Sequence, residues 1–413
     1  MNFLSELPDS SALLSEFPDL EVLEVNAHVH TPYSFSAFTD VPEIFTRALA
    51  EDIAVLGIND FFVTDGYEAF CNQAVKSGIF PLFNVEFIGL LKNEQQQGIR
   101  INDPANPGRC YFSGKGLNYP FHAAQQTVQK LQHVIHESQD QVKAMIEKAN
   151  NWFHTIQAGI TLNYSQIKTR YAQKLVRERH VAKAIRITVE EKYLDDDVRK
   201  AFYKILFNGK PLSSNPADIP GIENEIRANL LKSGGMAFIE EKESAFMPLE
   251  QITGMIRDAG GIPCYPVLLD DKNGQCTEYE KDPAKLWKEL TDRQIACIEL
   301  IPGRNDASHL APFVDYFNDR NFIVLLGTEH NTPDMIPLTC DTRGKKPLDQ
   351  QLKRISYEGA CVVAAHQYLQ ARGKVGFTGT NGQPRVAEKH EFIRLGNAVI
   401  HYFRQYHKNI PNG

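Results

Sequence analysis

The chain has 413 residues, 42% of them hydrophobic and 23% charged, with a net charge of −7. This is the make-up of a globular protein of two to three units at about 150 residues each, and it excludes a mini-protein, a disordered tail and general nucleic-acid binding. The best apolar run, Phe322-Ile323-Val324-Leu325-Leu326, is strand-sized, and seven cysteines without a Cys-x-x-Cys pair fit reduced thiols and a cytoplasmic location rather than a disulfide framework or a membrane span.

Residues 1–20 carry acidic and small residues with Pro8 and Pro18, unlike a secretory signal, and are expected to cap the body. From Glu21 short apolar runs alternate with helical stretches. Leu23 to Ala27 reads as a strand, Pro42 to Asp52 as a helix, Ala54 to Ile58 as a strand, Glu68 to Ser77 as a helix and Phe80 to Glu86 as a strand. That rhythm predicts βαβ units and a parallel sheet. It stops after Gly89: residues 92–120 read as a Gly/Pro/Asn-rich loop and residues 121–210 as helices. A second loop, Pro211 to Pro220, and a helix from Ile222 to Lys232 follow. The strand rhythm returns at Gly235 to Ile239, Ile262 to Tyr265, Ile295 to Leu300 and Ile323 to Gly327, with helices at Pro248–Ala259, Asp282–Leu290 and His309–Asp319. The simplest organisation is an α/β barrel-like domain interrupted by a helical insertion: residues 1–91 and 234–413 form the barrel, and 92–233 the loop and inserted α-helical domain.

Polar residues gather at the ends of the predicted strands. His28-Val29-His30 closes the first, Asn59-Asp60 the second, Glu86 the third, Glu299 a later one and Thr328-Glu329-His330 the last. In parallel α/β architectures this end forms the active-site face. Two imidazoles two residues apart on a strand share a side, and with carboxylates from other strands they make a site for Zn²⁺, Mn²⁺ or Fe²⁺.

These segments resemble the polymerase and histidinol phosphatase (PHP) family, in particular its single-chain phosphoesterases. Ala27-His28-Val29-His30-Thr31 looks like the opening Asp-x-His-x-His-Ser motif, and Gly57-Ile58-Asn59-Asp60-Phe61 with Thr64-Asp65-Gly66 looks like the second motif. Asn84-Val85-Glu86 is similar to Gly-Val-Glu, and Val176 to Ala184 to an Arg-Pro-His-Ile-Ala segment of the insertion. Gly260 to Pro266 and Gly327-Thr328-Glu329-His330-Asn331 sit where the family has its two late motifs. The resemblance implies a distorted (β/α)7 TIM-like barrel of the PHP type with an inserted α-helical domain, and metal-dependent phosphoester hydrolysis of a small phosphorylated metabolite or nucleotide.

The family builds a three-metal cluster, and the resemblance carries only one ion over: His28, His30, Glu86 and Glu329 are its expected ligands. Tyr265, Phe35, Phe61 and Asn331 stand where ligands of the other two would be, and no histidine follows Glu86 before position 122. The expectation is one divalent ion per chain, with His330 an alternative ligand in a shifted register. Asp60 is expected to orient water or a ligand histidine, His180 to donate a proton to the leaving group, and Tyr265 to hydrogen-bond an oxyanion. Arg177 in the basic helix, Arg109 and Lys115 in the 92–120 loop, and Glu299 are candidate substrate contacts for a small anionic substrate. Gly108 to Lys115 is not a phosphate-binding P-loop, because its glycine gap is one residue too long and Gly116 replaces the Ser/Thr. His133 and His136 read as surface or packing residues, and His366 as structural. Two readings compete with phosphoester hydrolysis: a one-metal amide or lactone hydrolase, and a remodelled domain that binds a metabolite or protein partner without catalysis, Phe35 and Phe61 lining its pocket.

Overall fold

The computed structural model describes residues 2–270 and 274–407. Eight strands build the main sheet: β1 (Glu24–Val29), β2 (Ile53–Phe61), β3 (Phe80–Leu90), β4 (Arg109–Lys115), β5 (Met247–Pro248), β6 (Ile262–Val267), β7 (Cys297–Leu300) and β8 (Ile323–Leu326). Seven lie in the order β1-β2-β3-β4-β6-β7-β8, while β5 pairs with the far end of β3. The ends of this path meet at a parallel bridge between Val29 and Glu329, so the sheet is a nearly closed barrel. β2 and β3 are buried at every position, the burial of strands covered on both faces.

Helices α1 (Ser10–Glu16), α2 (Val41–Ala50), α3 (Tyr67–Ser77) and α4 (Lys92–Gln96) lie in the first third of the chain. Local chemistry sets their ends. Asp40 accepts the amide of Glu43 at the start of α2, with Pro42 in its first turn, and α3 stops at Gly78, whose φ of 70° suits glycine. α5 (Gln125–Thr155), α6 (Tyr164–Tyr171), α7 (Glu178–Lys192), α8 (Asp196–Leu206) and α9 (Ile219–Ile226) follow β4. They enclose a second apolar core around Ile146, Phe153, Ile185, Leu206 and Ile226, separate from the barrel core. The 31-residue α5 spans the two, with Val134 in the barrel core and Val142 onward in the second. α10 (Leu249–Asp258), α11 (Pro283–Asp292) and α12 (Ala307–Asn318) connect the later strands. α13 (Gln350–Ala371) and α14 (Lys389–Tyr406) pack on each other, and α13 lies against β8 and β1. No helix among the described residues is long and apolar enough to cross a membrane.

Two elements differ from expectation. Residues 92–120 hold α4 and β4, and β4 is antiparallel to both β3 and β6, so the βα repeat breaks at the fourth position. Phe112 and Cys110 are fully buried on one face of β4. The Gly and Pro residues that mask this strand belong to the turn before it and to the exit at Gly116, where φ is 64°. Conversely, Gly235 to Ile239 is not a strand: Ala237 donates to the Leu230 carbonyl at 2.9 Å and is buried in the helical core.

Candidate metal centre

β1 and the residue that follows it carry His28 and His30 into the barrel mouth, and β3 brings Glu86 opposite them. His28 Nε2 lies 3.3 Å from His30 Nε2, and Glu86 Oε2 lies 3.1 Å from His30 Nε2 and 3.8 Å from His28 Nε2. These three residues form a buried group whose ligand atoms lie within 4.8 Å of one another. The approach of β8 to β1 that closes the site depends on Gly327, because a Cβ there would lie 2.4 Å from the Cβ of His28.

The surrounding hydrogen bonds assign the tautomers. Glu299 Oε2 accepts from His28 Nδ1 at 2.9 Å, which puts the proton on Nδ1 and a lone pair on Nε2. Ser34 spends its only hydroxyl proton on Asp60 Oδ1 at 2.6 Å, so at 3.3 Å it can only accept from His30 Nδ1. The lone pair of His30 is then also on Nε2. Both lone pairs and Glu86 Oε2 face one another; among the described residues Glu86 Oε2, which is buried, accepts no hydrogen bond, and only the Asn59 amide, at 2.9 Å, donates to His28 Nε2. Three convergent acceptors call for a cation, so the residues present fit a divalent ion with a nitrogen and oxygen donor set.

Electrostatics agree. Burial lowers the pKa of His30 and keeps it neutral. Burial raises that of Glu86, helped by the carboxylates of Glu329 and Glu299, so a cation beside it is what keeps the group ionised and an acceptor. Burial also acts against the charged form of Glu299, but the Lys115 ammonium and His28 outweigh it and hold this carboxyl well below the usual range. Such a carboxylate behind a ligand histidine fixes the ring's orientation. Asp60 is fully buried and raised by burial, and accepts from the Thr31 amide at 2.8 Å, the Thr31 hydroxyl at 2.5 Å and Ser34. It thereby ties down the loop after His30.

The other expected site residues divide. Lys115 is no loop residue: it is wholly buried in the barrel, with Nζ 2.5 Å from Glu299 Oε2 and 3.1 Å from Asn59 Oδ1. Arg177 rests over the ring of Phe61, 4.6 Å from its centroid, and Phe61 in turn stacks on His30. His180 meets the edge of Phe35 and accepts the Arg177 amide on Nδ1, leaving its proton on Nε2. Burial, with Lys183 and Arg177, pushes His180 down to about 3, so the ring is neutral and carries its proton on Nε2.

Glu329 reaches the site by backbone, its carbonyl accepting from the His30 amide at 2.7 Å. Its carboxylate is ion-paired with Arg304 and stands outside the tight three-residue group. Three expected residues are held elsewhere. Tyr265 donates to Glu280 at 2.8 Å on the face of β6 opposite Cys264 and Lys115, His330 is fixed between Thr328 and the Ile336 carbonyl, and Arg109 pairs with Glu241 at 2.6 Å. His366 is structural, bonded to the Gly260 carbonyl and the Phe377 amide, while His133 and His136 are exposed. The sequence reading missed Ser113, which donates to Glu299 at 2.6 Å, and Arg304. Alternation of Ser113 and Lys115 was the available signal for the former, hidden by the loop reading.

No family model matches the chain, and no curated protein matches it. Solved structures do. One is a protein from Bifidobacterium adolescentis provisionally assigned as a metal-dependent phosphoesterase, with a TM-score of 0.53, 11% identity, and coverage of 81% of this chain and 96% of that one. Another is an amidohydrolase from Chromobacterium violaceum with bound sulfate and no metal, with a TM-score of 0.46, 17% identity, and coverage of 80% and 96%. The likeness to the first is one of fold: a nearly closed α/β barrel decorated with helices.

Proposed function

We propose that the chain is a metal-dependent hydrolase acting on a phosphoester, with a small phosphorylated metabolite or nucleotide as the substrate class. The observation that carries this reading is the convergence of His28 Nε2, His30 Nε2 and the unsatisfied Glu86 Oε2 inside the barrel mouth. The resemblance of the sequence motifs to PHP phosphoesterases, and the assignment of the Bifidobacterium protein as a phosphoesterase, support the same chemistry.

His28, His30 and Glu86 would hold one Zn²⁺, Mn²⁺ or Fe²⁺, with Glu329 the adjoining carboxylate. When bound, such an ion supplies Lewis acidity and lowers the pKa of a water. The rest is the work of the protein's own side chains. Glu299 holds His28 with its lone pair inward, and Asp60 fixes the loop that carries Ser34 against His30. Arg177 and Arg179 stand on Phe61 and Phe35, and among the described residues neither has a carboxylate within ion-pair distance. The Arg177 guanidinium, and the donors of Arg179 not spent on Asn224 at 3.2 Å, would orient an anionic substrate, and His180 Nε2–H would donate to one of its oxygens.

The test is metal content by elemental analysis of protein purified without chelator, followed by assays on phosphomonoesters, phosphodiesters, amides and lactones. One tightly held equivalent, lost in His30→Ala along with phosphoesterase activity, is expected. No metal after reconstitution would sink the reading, and turnover of an amide or lactone alone would overturn the substrate class.

A further inference from the structure

β4 runs antiparallel between β3 and β6, and its inward side presents Ser113 and Lys115 to the barrel interior. Ser113 is directly opposite Glu86 in register, and Lys115 follows on the same face. The Lys115 ammonium sits 2.5 Å from Glu299 Oε2, the same oxygen that accepts from His28 Nδ1, and 3.1 Å from Asn59 Oδ1. Ser113 Oγ occupies the other oxygen of Glu299 at 2.6 Å and lies 3.5 Å from the Asn59 amide nitrogen. A buried carboxylate and carboxamide oxygen on the ammonium, with a buried hydroxyl on the carboxylate's other oxygen, are the kind of oxygen donors that a hard divalent cation selects.

We propose that the Lys115 ammonium is a built-in cation occupying the ground on which a second divalent ion would otherwise bind, so that the centre is limited to one metal. The physical case is charge balance. Burying Glu299 beside Glu86 and Glu329 requires a counter-charge, and Lys115 supplies it with no exposure to solvent. Asn59 Oδ1 accepts from the same ammonium, which fixes that side chain beside Glu299. An ammonium cannot act as a Lewis acid or carry a water as a ligand. A single ion held by His28, His30 and Glu86 would then be the Lewis acid of the site, while Lys115 orders the Glu299–His28 pair behind it. Lys115 is thus a positioning residue that acts through Glu299.

The inference rests on the one-ion reading above, and ion counting separates the two. Metal-stripped protein is titrated with Mn²⁺ and with Zn²⁺ by calorimetry, and the retained metal is counted after desalting. Wild type is expected to take one equivalent and Lys115→Ala two. The double variant Lys115→Ala/Glu299→Gln, which lacks the carboxylate a second ion needs, is expected to return to one at saturation. If Lys115→Ala does not fold, Lys115→Gln carries the same expectation. Wild type that binds no ion overturns the functional reading. One ion in wild type and one in the folded Lys115 variant overturns this inference alone, as does wild type that binds two.

Discussion

A single carboxylate oxygen, Glu299 Oε2, accepts from His28 Nδ1 at 2.9 Å and from the Lys115 ammonium at 2.5 Å. One atom therefore sets both the direction of the metal-facing lone pair and the charge balance of the barrel interior. Replacing Glu299 by Gln would keep the volume and remove the charge. Lys115 would remain buried without its counter-ion, a change worth about 3–5 kcal/mol when one partner of a buried pair is lost. Loss of a carboxylate behind a ligand histidine typically costs about 10–100-fold in metal affinity. Urea unfolding and ion titration of Glu299→Gln should show both effects; unchanged affinity would remove Glu299 from the centre.

Asp60 gathers three donors, the Thr31 amide, the Thr31 hydroxyl and the Ser34 hydroxyl, in a place closed to solvent. The same loop carries the Tyr33 carbonyl, which accepts the Leu175 amide from the segment before α7 at 3.0 Å. Asp60→Ala leaves these donors unsatisfied, and at roughly 1–3 kcal/mol for each buried group it should destabilise the protein by about 3 kcal/mol or more. Chemical denaturation measures this directly. A loss below about 1 kcal/mol would mean the loop holds itself.

Glu280 provides a pH dependence away from the metal centre. Burial raises its pKa from 4.5 to about 7, against the opposing hydrogen bonds from Leu268, Tyr265 and Leu269. Between those two values the folded protein keeps a proton that the unfolded chain has released. The stabilisation is therefore complete below pH 4.5 and is lost as pH rises through 7. Relative to Glu280→Gln, wild type should lose stability across this window at up to about 1.4 kcal/mol per pH unit. Urea unfolding of both proteins at several pH values tests it, and parallel curves would contradict it.

Gly327 joins β8 to the turn that carries Glu329. A methyl group at this position would press on the Cβ and backbone nitrogen of His28, at 2.4 and 2.7 Å. Gly327→Ala should move β1 and the end of β8 apart, weakening ion binding at least tenfold while the far side of the barrel stays folded. Ion titration beside far-ultraviolet circular dichroism distinguishes this from global unfolding, which would show loss of both together.

Local pattern determined a good part of this protein. The alternation of apolar runs with capped helices placed β1, β2, β3, β6, β7 and β8 along the chain, because strand and helix periodicities are properties of neighbouring residues. The two-residue spacing of His28 and His30 on β1 likewise placed both imidazoles on one side before any fold was known.

Tertiary structure decided the rest, for reasons of pairing and register. Which face of β6 turns inward depends on its neighbours. Cys264 pairs with Ser113 while Tyr265 points outward to Glu280, and no local signal states that parity. β4 was hidden among turn residues because its stability comes from two strands distant in sequence. That pairing carries Lys115 from an expected substrate loop to a fully buried position in the barrel. Glu329 and His330 both follow β8 with positive φ. There the competition among partners assigned one carboxylate to Arg304 and one imidazole to the Ile336 carbonyl, while the two histidines of β1 were left facing Glu86. Sequence supplied the chemical groups, and the burial of unlike charges among fixed strands decided which of them meet.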